Sequence, residues 1–306
     1  MQEKSTNKLK KIEPSVGIII ANKNGYSDTI ELIDSLNKIT YINYEIFLCD
    51  DNSSDDSQSK FINTYEQIKK INLIFSKKDV GLAGILNLGL EEVLKKNMDY
   101  SLVMNNDMIV DPYFLSFLVD EIEKHSKSAA AAGPIIYYYD KKNIIWNAGV
   151  KFRLQGFKNL GQNHLYSKKW EKNKIVDALD AVYLMNNSVV KKVGMLEKDF
   201  FIGQEMSGWC LKAKQHGYFS MIVTESKIWH KVSRTLLQES KMRSYYVDRN
   251  WLILLKCTQP YSVYLMGLLV HLVLFIPRFI YYQLIKRKKF LMATRIKAII
   301  DSFKFK

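Results

Sequence analysis

A chain of 306 residues, 47% hydrophobic and 25% charged, carries enough apolar side chain for one large packed domain and excludes wholesale disorder. Its three cysteines, Cys49, Cys210 and Cys257, form no CxxC pair, which argues against a disulfide framework or a structural zinc site and suits a reducing compartment. The net charge of +14 gathers at the ends, with +3 in residues 1–12 and +7 in residues 284–306, so the near-neutral body is not expected to bind nucleic acid.

Residues 1–14 read as a basic extension, and no apolar run directly follows the charged N-terminus, so no signal peptide is expected. Residues 15–21 are a continuous apolar run, the pattern of a strand buried on both faces. Helical spacing follows over 28–38, then a strand over 44–49 and the polar cluster 50–57. A helix over 61–68, a short strand over 73–76, a helix over 83–95 and a strand over 101–104 continue the alternation, closed by a helix over 113–124. Strands alternating with helices predict an α/β fold with a Rossmann-like, mostly parallel sheet. Beyond residue 129 the spacing predicts strands over 130–139, 144–152, 178–185 and 220–230, and a polar loop over 155–174. Helices are expected over 207–215, ended by Gly217, and over 237–256.

In doubly wound sheets, ligands bind at the carboxyl ends of the strands. Three polar clusters fall there: residues 22–25, 50–56 and 105–107. Each alone reads as an Asx-rich turn. Together they line one edge with carboxylates and amides, suited to a base, a ribose and a divalent cation on phosphates. Neither GxGxxG nor GxxxxGK[ST] occurs, which disfavours dinucleotide and P-loop binding.

The ordered segments VGIIIANKNG (16–25), CDDNSSDDS (49–57), DVGLAGILNLGL (79–90) and LVMNNDMIVDP (102–112) carry a resemblance. It continues through residues 133–149, DALDAVYLM (177–185), FFIGQEMSGWCLKAKQHGY (200–218) and IWHKVS (228–233). The chain resembles the inverting nucleotide-sugar glycosyltransferases of family 2, with the A-type fold, and its rhamnosyltransferase-like branch most. The resemblance implies a catalytic domain over 15–256 acting on a UDP- or dTDP-linked sugar, with Mg2+ or Mn2+ as cofactor. The acceptor it implies is a glycan or a lipid-linked sugar, in surface polysaccharide synthesis. Ala21 and Lys23 would occupy the first donor loop, Lys23 replacing the family's aromatic residue. Asp50 would accept from the base, with Asp51 beside it. Gly81, Gly84 and Asn87 would pack a helix close to the donor. Asn105, Asn106 and Asp107 match the family's Asp-x-Asp motif, only Asp107 remaining a carboxylate. His230 matches a second metal ligand, and Asp180 and Trp209 would border the acceptor.

The base motif departs from the family. Its Glu-Asp-x-Asp reads Glu205-Met206-Ser207-Gly208 here, leaving Glu205 as the sole carboxylate and the candidate base. The alternative is a degenerate glycosyltransferase-like scaffold that binds donor without turnover.

Residues 257–277 contain no Asp, Glu, Lys or Arg, although Pro260 and Pro277 limit the uninterrupted part to 261–276. A span there would place the basic tail outside, against the positive-inside tendency. Residues 257–306 are therefore expected to lie in the membrane interface on the cytosolic face, broken at Pro277 and followed by an amphipathic basic helix. Packing against the catalytic domain, or against a second copy of the chain as a homodimer, is the alternative.

Overall fold

The computed structural model describes residues 13–232, 241–281 and 289–305. The basic extension to residue 12, positions 237–240 of an expected helix, and Lys286, Arg287 and Lys288 lie outside the described residues.

β1 (Val16–Asn22) is buried along its whole length, as an apolar run with strands on both sides must be. α1 (Tyr26–Leu36) buries Leu32, Ile33 and Leu36 against it. The alternation continues through β2 (Tyr44–Asp50), α2 (Ser57–Tyr65), β3 (Ile71–Phe75), α3 (Gly81–Lys95) and β4 (Tyr100–Asn105). Next come β5 (Met108–Val110), α4 (Phe114–Lys124), β6 (Ala129–Tyr138), β7 (Ile145–Asn147), β8 (Val150–Lys151), β9 (Lys158–Asn159) and β10 (Lys174–Val176). β11 (Val182–Asn186), α5 (Asn187–Val193), α6 (Glu205–Gln215) and β12 (Phe219–His230) complete the α/β body. Three helices follow: α7 (Lys241–Thr258), α8 (Tyr261–Ile280) and α9 (Lys289–Phe303).

The main sheet runs β10-β12-β6-β11-β4-β1-β2-β3, with β5 joined to β12 and β7 to β6. Parallel pairing links β3, β2, β1 and β4, and separately β6 and β12. β11 is antiparallel to both β4 and β6, so the two parallel groups point the same way. Side chains alternate between two cores. Ile19, Phe47 and Val103 face α3 and α6, whereas Ile18, Ile20, Leu48 and Leu102 face α1 and α4.

Two expected strands are shorter than their apolar patterns. The run 144–152 divides into β7 and β8 because Gly149 takes φ +92°, and Val176 and Ile222 pack where a Cβ would stand. The run 178–185 joins the main sheet only from Val182, because Ala181 takes φ +66°, while Ala178 bridges to Val150. α8 runs through Pro277 to Ile280, correcting the expected break there.

The boundary expected after residue 256 falls inside α7. That helix buries Trp251, Ile253, Leu254 and Leu255 with Phe200 and Leu211 of the α/β body and Tyr264 of α8. Arg295 of α9 forks onto the buried Asp248 of α7, its Nη1 lying 2.7 Å and 3.0 Å from the two carboxylate oxygens. Among the described residues, no helix is long and apolar enough to cross a membrane.

Candidate active site

The carboxyl ends of β1, β2 and β4 meet at one edge, and amide side chains tie their loops together. Asn22, at the end of β1, donates to Asp50 Oδ2 at 2.6 Å, and its Oδ1 accepts from Thr29 Oγ1 at 2.9 Å and Asn106 Nδ2 at 2.9 Å. Asn106 also donates to Gly25 O at 3.2 Å and Thr29 Oγ1 at 3.0 Å. The Asn24 side chain accepts from Ser54 N at 2.8 Å. The sequence places Asn22 and Asn24 in the polar cluster 22–25 but assigns neither a role. Their signal is a pair of amides directly after an apolar strand.

Asp50 has no exposed surface. Ser53 N (2.9 Å) and Gln58 Nε2 (2.7 Å) fill one oxygen; Asn22 Nδ2 and Ser53 Oγ (both 2.6 Å) fill the other. All four lone-pair sites are occupied, so Asp50 braces the loop, and the expected contact to a base has no acceptor left there. Asp51 accepts from Val80 N at 2.8 Å and Gly81 N at 3.0 Å, one bond per oxygen, and so retains acceptor capacity. Burial pushes its carboxyl up to about 6, with the neighbouring Asp79 adding to the rise against the Val80 N–H and Lys23. Lys23 pairs with Asp79 and lies 3.8 Å from Asp51. Ala21 is a buried strand residue in register with Cys49 and Asn105.

Asp51 therefore caps the first turn of α3. Gly81 there has φ +72°, and a Cβ would stand 2.4 Å from Phe201 O. Gly84 similarly lets α3 fold close beneath Val80. Asn87 is directed away from this edge, its amide clasping Leu196 O (2.8 Å) and Leu196 N (3.1 Å). The expected donor contact at Asn87 is replaced by this structural clasp.

β4 ends at Asn105, whose backbone N–H donates to Ala181 O at 3.3 Å. Asp107 and His230 then face each other across the β5–β12 pairing, which aligns Met108 with His230. Asp107 Oδ2 lies 3.1 Å from His230 Nε2, and the two residues are 6% and 7% exposed. The His230 ring stands edge-on to Trp146, centroids 4.4 Å apart, and its buried Nδ1 has no hydrogen-bond partner among the described residues. An octahedral ion with ligands at 2.0–2.1 Å separates adjacent donor atoms by about 3 Å, so the pair fits a divalent cation. Among the described residues no third His, Cys, Asp or Glu joins them.

On the same edge, Asp180 precedes β11 and Glu205 opens α6. Asp180 has an exposed surface yet is enclosed by protein, as a group in a cleft is. That enclosure raises its carboxyl above the usual range, against the Ala181 N–H (2.9 Å) and the charge of His230. Glu205 is buried, and its Oε2 has no partner among the described residues. Burial pushes its carboxyl up to about 8, and the charge of Asp180 adds to the rise. Trp209 lies in the core, 2% exposed, stacked on Tyr183 and donating its indole N–H to Gly194 O at 2.8 Å. This core position differs from the place beside the acceptor that the resemblance implies for Trp209. Gly208 has a packing role: a Cβ would stand 2.8 Å from Phe200 and 3.1 Å from Leu254. The departure from the usual base motif thus coincides with close packing of α6 against α7.

A family model described as Glycosyl transferase family 2 matches residues 17–194. The dTDP-rhamnosyl transferase RfbF of Shigella flexneri is 23% identical over 202 residues, 62% of this chain and 64% of the relative, so the chain spans just under two thirds of that protein. The crystal structure of GalNAc-T7 with UDP, GalNAc and Mn2+ superposes with TM-score 0.61 at 15% identity, over 80% of this chain and 48% of that one. The mannosyltransferase PcManGT from Pyrobaculum calidifontis, in complex with GDP-Man and Mn2+, gives TM-score 0.57 at 13% identity, over 96% and 76% of the two chains. At these identities the likeness is one of fold, the A-type glycosyltransferase fold.

Proposed function

The chain belongs to glycosyl transferase family 2, and on that premise we propose that it transfers a sugar from a UDP- or dTDP-linked donor to a glycan or lipid-linked acceptor, with inversion, in surface polysaccharide synthesis. The observation carrying this reading is the single edge that gathers Asp107 and His230, 3.1 Å apart, with Asp180 and a buried Glu205 whose Oε2 lacks a partner. The Shigella relative favours a dTDP-sugar as donor.

Asp107 and His230 would hold Mg2+ or Mn2+, which when bound neutralises charge on the departing diphosphate. Glu205 accepts the proton of the acceptor hydroxyl at Oε2 as that oxygen attacks the anomeric carbon from the face opposite the diphosphate. A carboxyl poised near 8 is a stronger base, once ionised, than an ordinary glutamate. Asp180, open to solvent beside it, hydrogen-bonds acceptor hydroxyls and keeps Glu205 basic. The scaffold reading rests on Met206 and Gly208, and both residues have packing roles here.

The test is a panel of UDP- and dTDP-sugars incubated with Mn2+ or Mg2+ and assayed for release of nucleoside diphosphate. Metal-dependent release, lost in Asp107→Ala, is expected. A folded protein that binds donor but releases no diphosphate would favour the scaffold.

Nucleotide sugars are cytosolic, so this reading places the body on the cytosolic face of the membrane. Support for interfacial binding comes from α8, where Tyr261, Leu265, Met266, Leu269, Leu272 and Val273 are exposed. At 100° per residue they share an arc of roughly 140°. Tyr264, Gly267 and His271 turn the other way, into the protein. An exposed apolar stripe of this kind suits burial in a membrane interface.

A further inference from the structure

The chain reaches Glu205 through a turn that is costly to hold. Phe201 (φ 60°, ψ −65°), Gly203 (φ +82°) and Gln204 (φ +76°) all lie at positive φ within four residues. Phe201 is the centre of a tight γ-turn, with Ile202 N donating to Phe200 O at 2.6 Å, a strained form for a residue with a side chain. Such conformations persist only where their surroundings over-determine them.

The determinant sits on α7. Asn250 has no exposed surface, and its Nδ2 donates to three carbonyls of the turn: Phe200 O at 2.7 Å, Gly203 O at 2.8 Å and Ile202 O at 3.0 Å. Its Oδ1 accepts from Arg249 Nη1 at 2.9 Å, and the same nitrogen donates to Asp199 O at 2.8 Å, which fixes the direction of the amide. Tyr246, one turn earlier on α7, stacks on Phe201 with centroids 5.2 Å apart. On the other side, Phe201 O accepts from Ala83 N at 3.2 Å, in the turn of α3 that Asp51 caps. One amide thus organises the segment between the base and the donor loop. An asparagine inside a helix is unfavourable in itself, so the position answers to this contact rather than to helix formation.

We propose that Asn250 is a positioning residue for glycosyl transfer, holding the turn 200–204 so that Glu205 meets the acceptor hydroxyl while the first turn of α3 meets the donor. The proposal rests on Glu205 being the base, and Asn250 itself touches neither substrate. Without the amide, Ile202 O and Gly203 O lose this donor and Phe200 O keeps only the Ile202 N–H, so the turn relaxes and water reaches Glu205.

The experiment compares full-length wild type, Asn250→Ala, Asn250→Ser and Glu205→Gln. Hydrolysis of the best donor from the panel gives turnover, and calorimetry with dTDP and Mn2+ gives affinity. Carbon-13 NMR of glutamate-labelled protein gives the Glu205 titration, assigned by its loss in Glu205→Gln. Asn250→Ala is expected to lose at least about 30-fold in turnover with dTDP affinity kept within about threefold. The Glu205 midpoint should fall from about 8 by a unit or more. Asn250→Ser keeps one hydroxyl donor and should lie between; it carries the test if Asn250→Ala does not fold. An unmoved midpoint overturns the proposal whether or not turnover falls, and so does an affinity loss as large as the turnover loss. If Glu205→Gln turns over like wild type, the base assignment itself fails, whatever Asn250 does.

Discussion

Gly81 and Gly203 have similar backbones and different surroundings, which makes them a controlled pair. Their φ values are +72° and +82°. A Cβ on Gly203 would meet nothing within 4 Å, whereas on Gly81 it would stand 2.4 Å from Phe201 O and 2.6 Å from Phe201 Cδ2. Alanine at either position carries the left-handed penalty, about 1–2 kcal/mol. At Gly81 a backbone carbonyl must also move. That loosens the Ala83 N–H bond to Phe201 O, about 1 kcal/mol, and overpacks the ring, about 1–3 kcal/mol. Gly203→Ala should therefore cost about 1–2 kcal/mol and Gly81→Ala about 3–6 kcal/mol. At roughly 2–4 °C per kcal/mol for a chain of this size, melting should fall by a few degrees in the first and by about 10 °C in the second. Differential scanning calorimetry of both variants measures this, with dTDP binding as a second readout. Gly81→Ala also displaces the N–H groups on Asp51 and should weaken donor, whereas Gly203→Ala should leave affinity unchanged. Equal losses of melting temperature in the two variants would refute the steric argument.

Asp107→Asn keeps size and removes charge, so Mn2+ affinity measured by paramagnetic resonance in the presence of UDP should fall at least about 10-fold; unchanged affinity would remove Asp107 from the metal site. Glu205 is raised when folded, so the folded state holds more protons between about pH 4.5 and 8 and stability falls as pH rises across that window. The effect is roughly 3–5 kcal/mol at its limit, and Glu205→Gln should abolish that slope in urea titrations while lowering turnover at least about 100-fold. Trp209→Phe loses the bond to Gly194 O and should cost about 1 kcal/mol with turnover kept within about twofold, whereas a large loss of turnover would return Trp209 to the acceptor site. Leu269→Glu places a charge on the exposed stripe of α8 and should reduce sedimentation with anionic vesicles at least about threefold, while unaltered binding would direct attention to a second copy of the chain.

The parallel half of the fold was legible because a strand buried on both faces reads as an unbroken apolar run. Residues 15–21, 44–49 and 101–104 became β1, β2 and β4 almost as expected. β5 was not legible, since its three residues owe their strand form to pairing with β12, more than a hundred positions away. The division at Gly149 follows from Val176 and Ile222 packing against it, contacts that no local pattern records. At the site, the family resemblance singled out Asp107, His230, Asp180 and Glu205, and the structure brings them to one edge. It also separates residues that looked alike. Asp50 and Asp51 are neighbours in the chain, yet one is saturated within its loop and the other caps a helix. Asn250 had a signal that went unread, a lone amide entering the apolar run 251–255.

The reversed strand β11 also sets a lower bound on when the sheet can close around the site. β1 to β4 pair with neighbours drawn from the first 105 residues, and this half can order as soon as it leaves the ribosome. β4 then presents an unpaired edge until β11 arrives, some eighty residues later. At 5–20 residues per second that interval is roughly 4–16 s. Throughout it, the backbone donors and acceptors of Tyr100–Asn105 are open to any passing strand, and the nascent chain has its donor loops but no base. Insertion of β11 closes that edge and, by the same stroke, delivers Asp180 to the cleft. Protection from misassembly therefore comes before the site is complete, because Glu205 and His230 follow β11 in the chain.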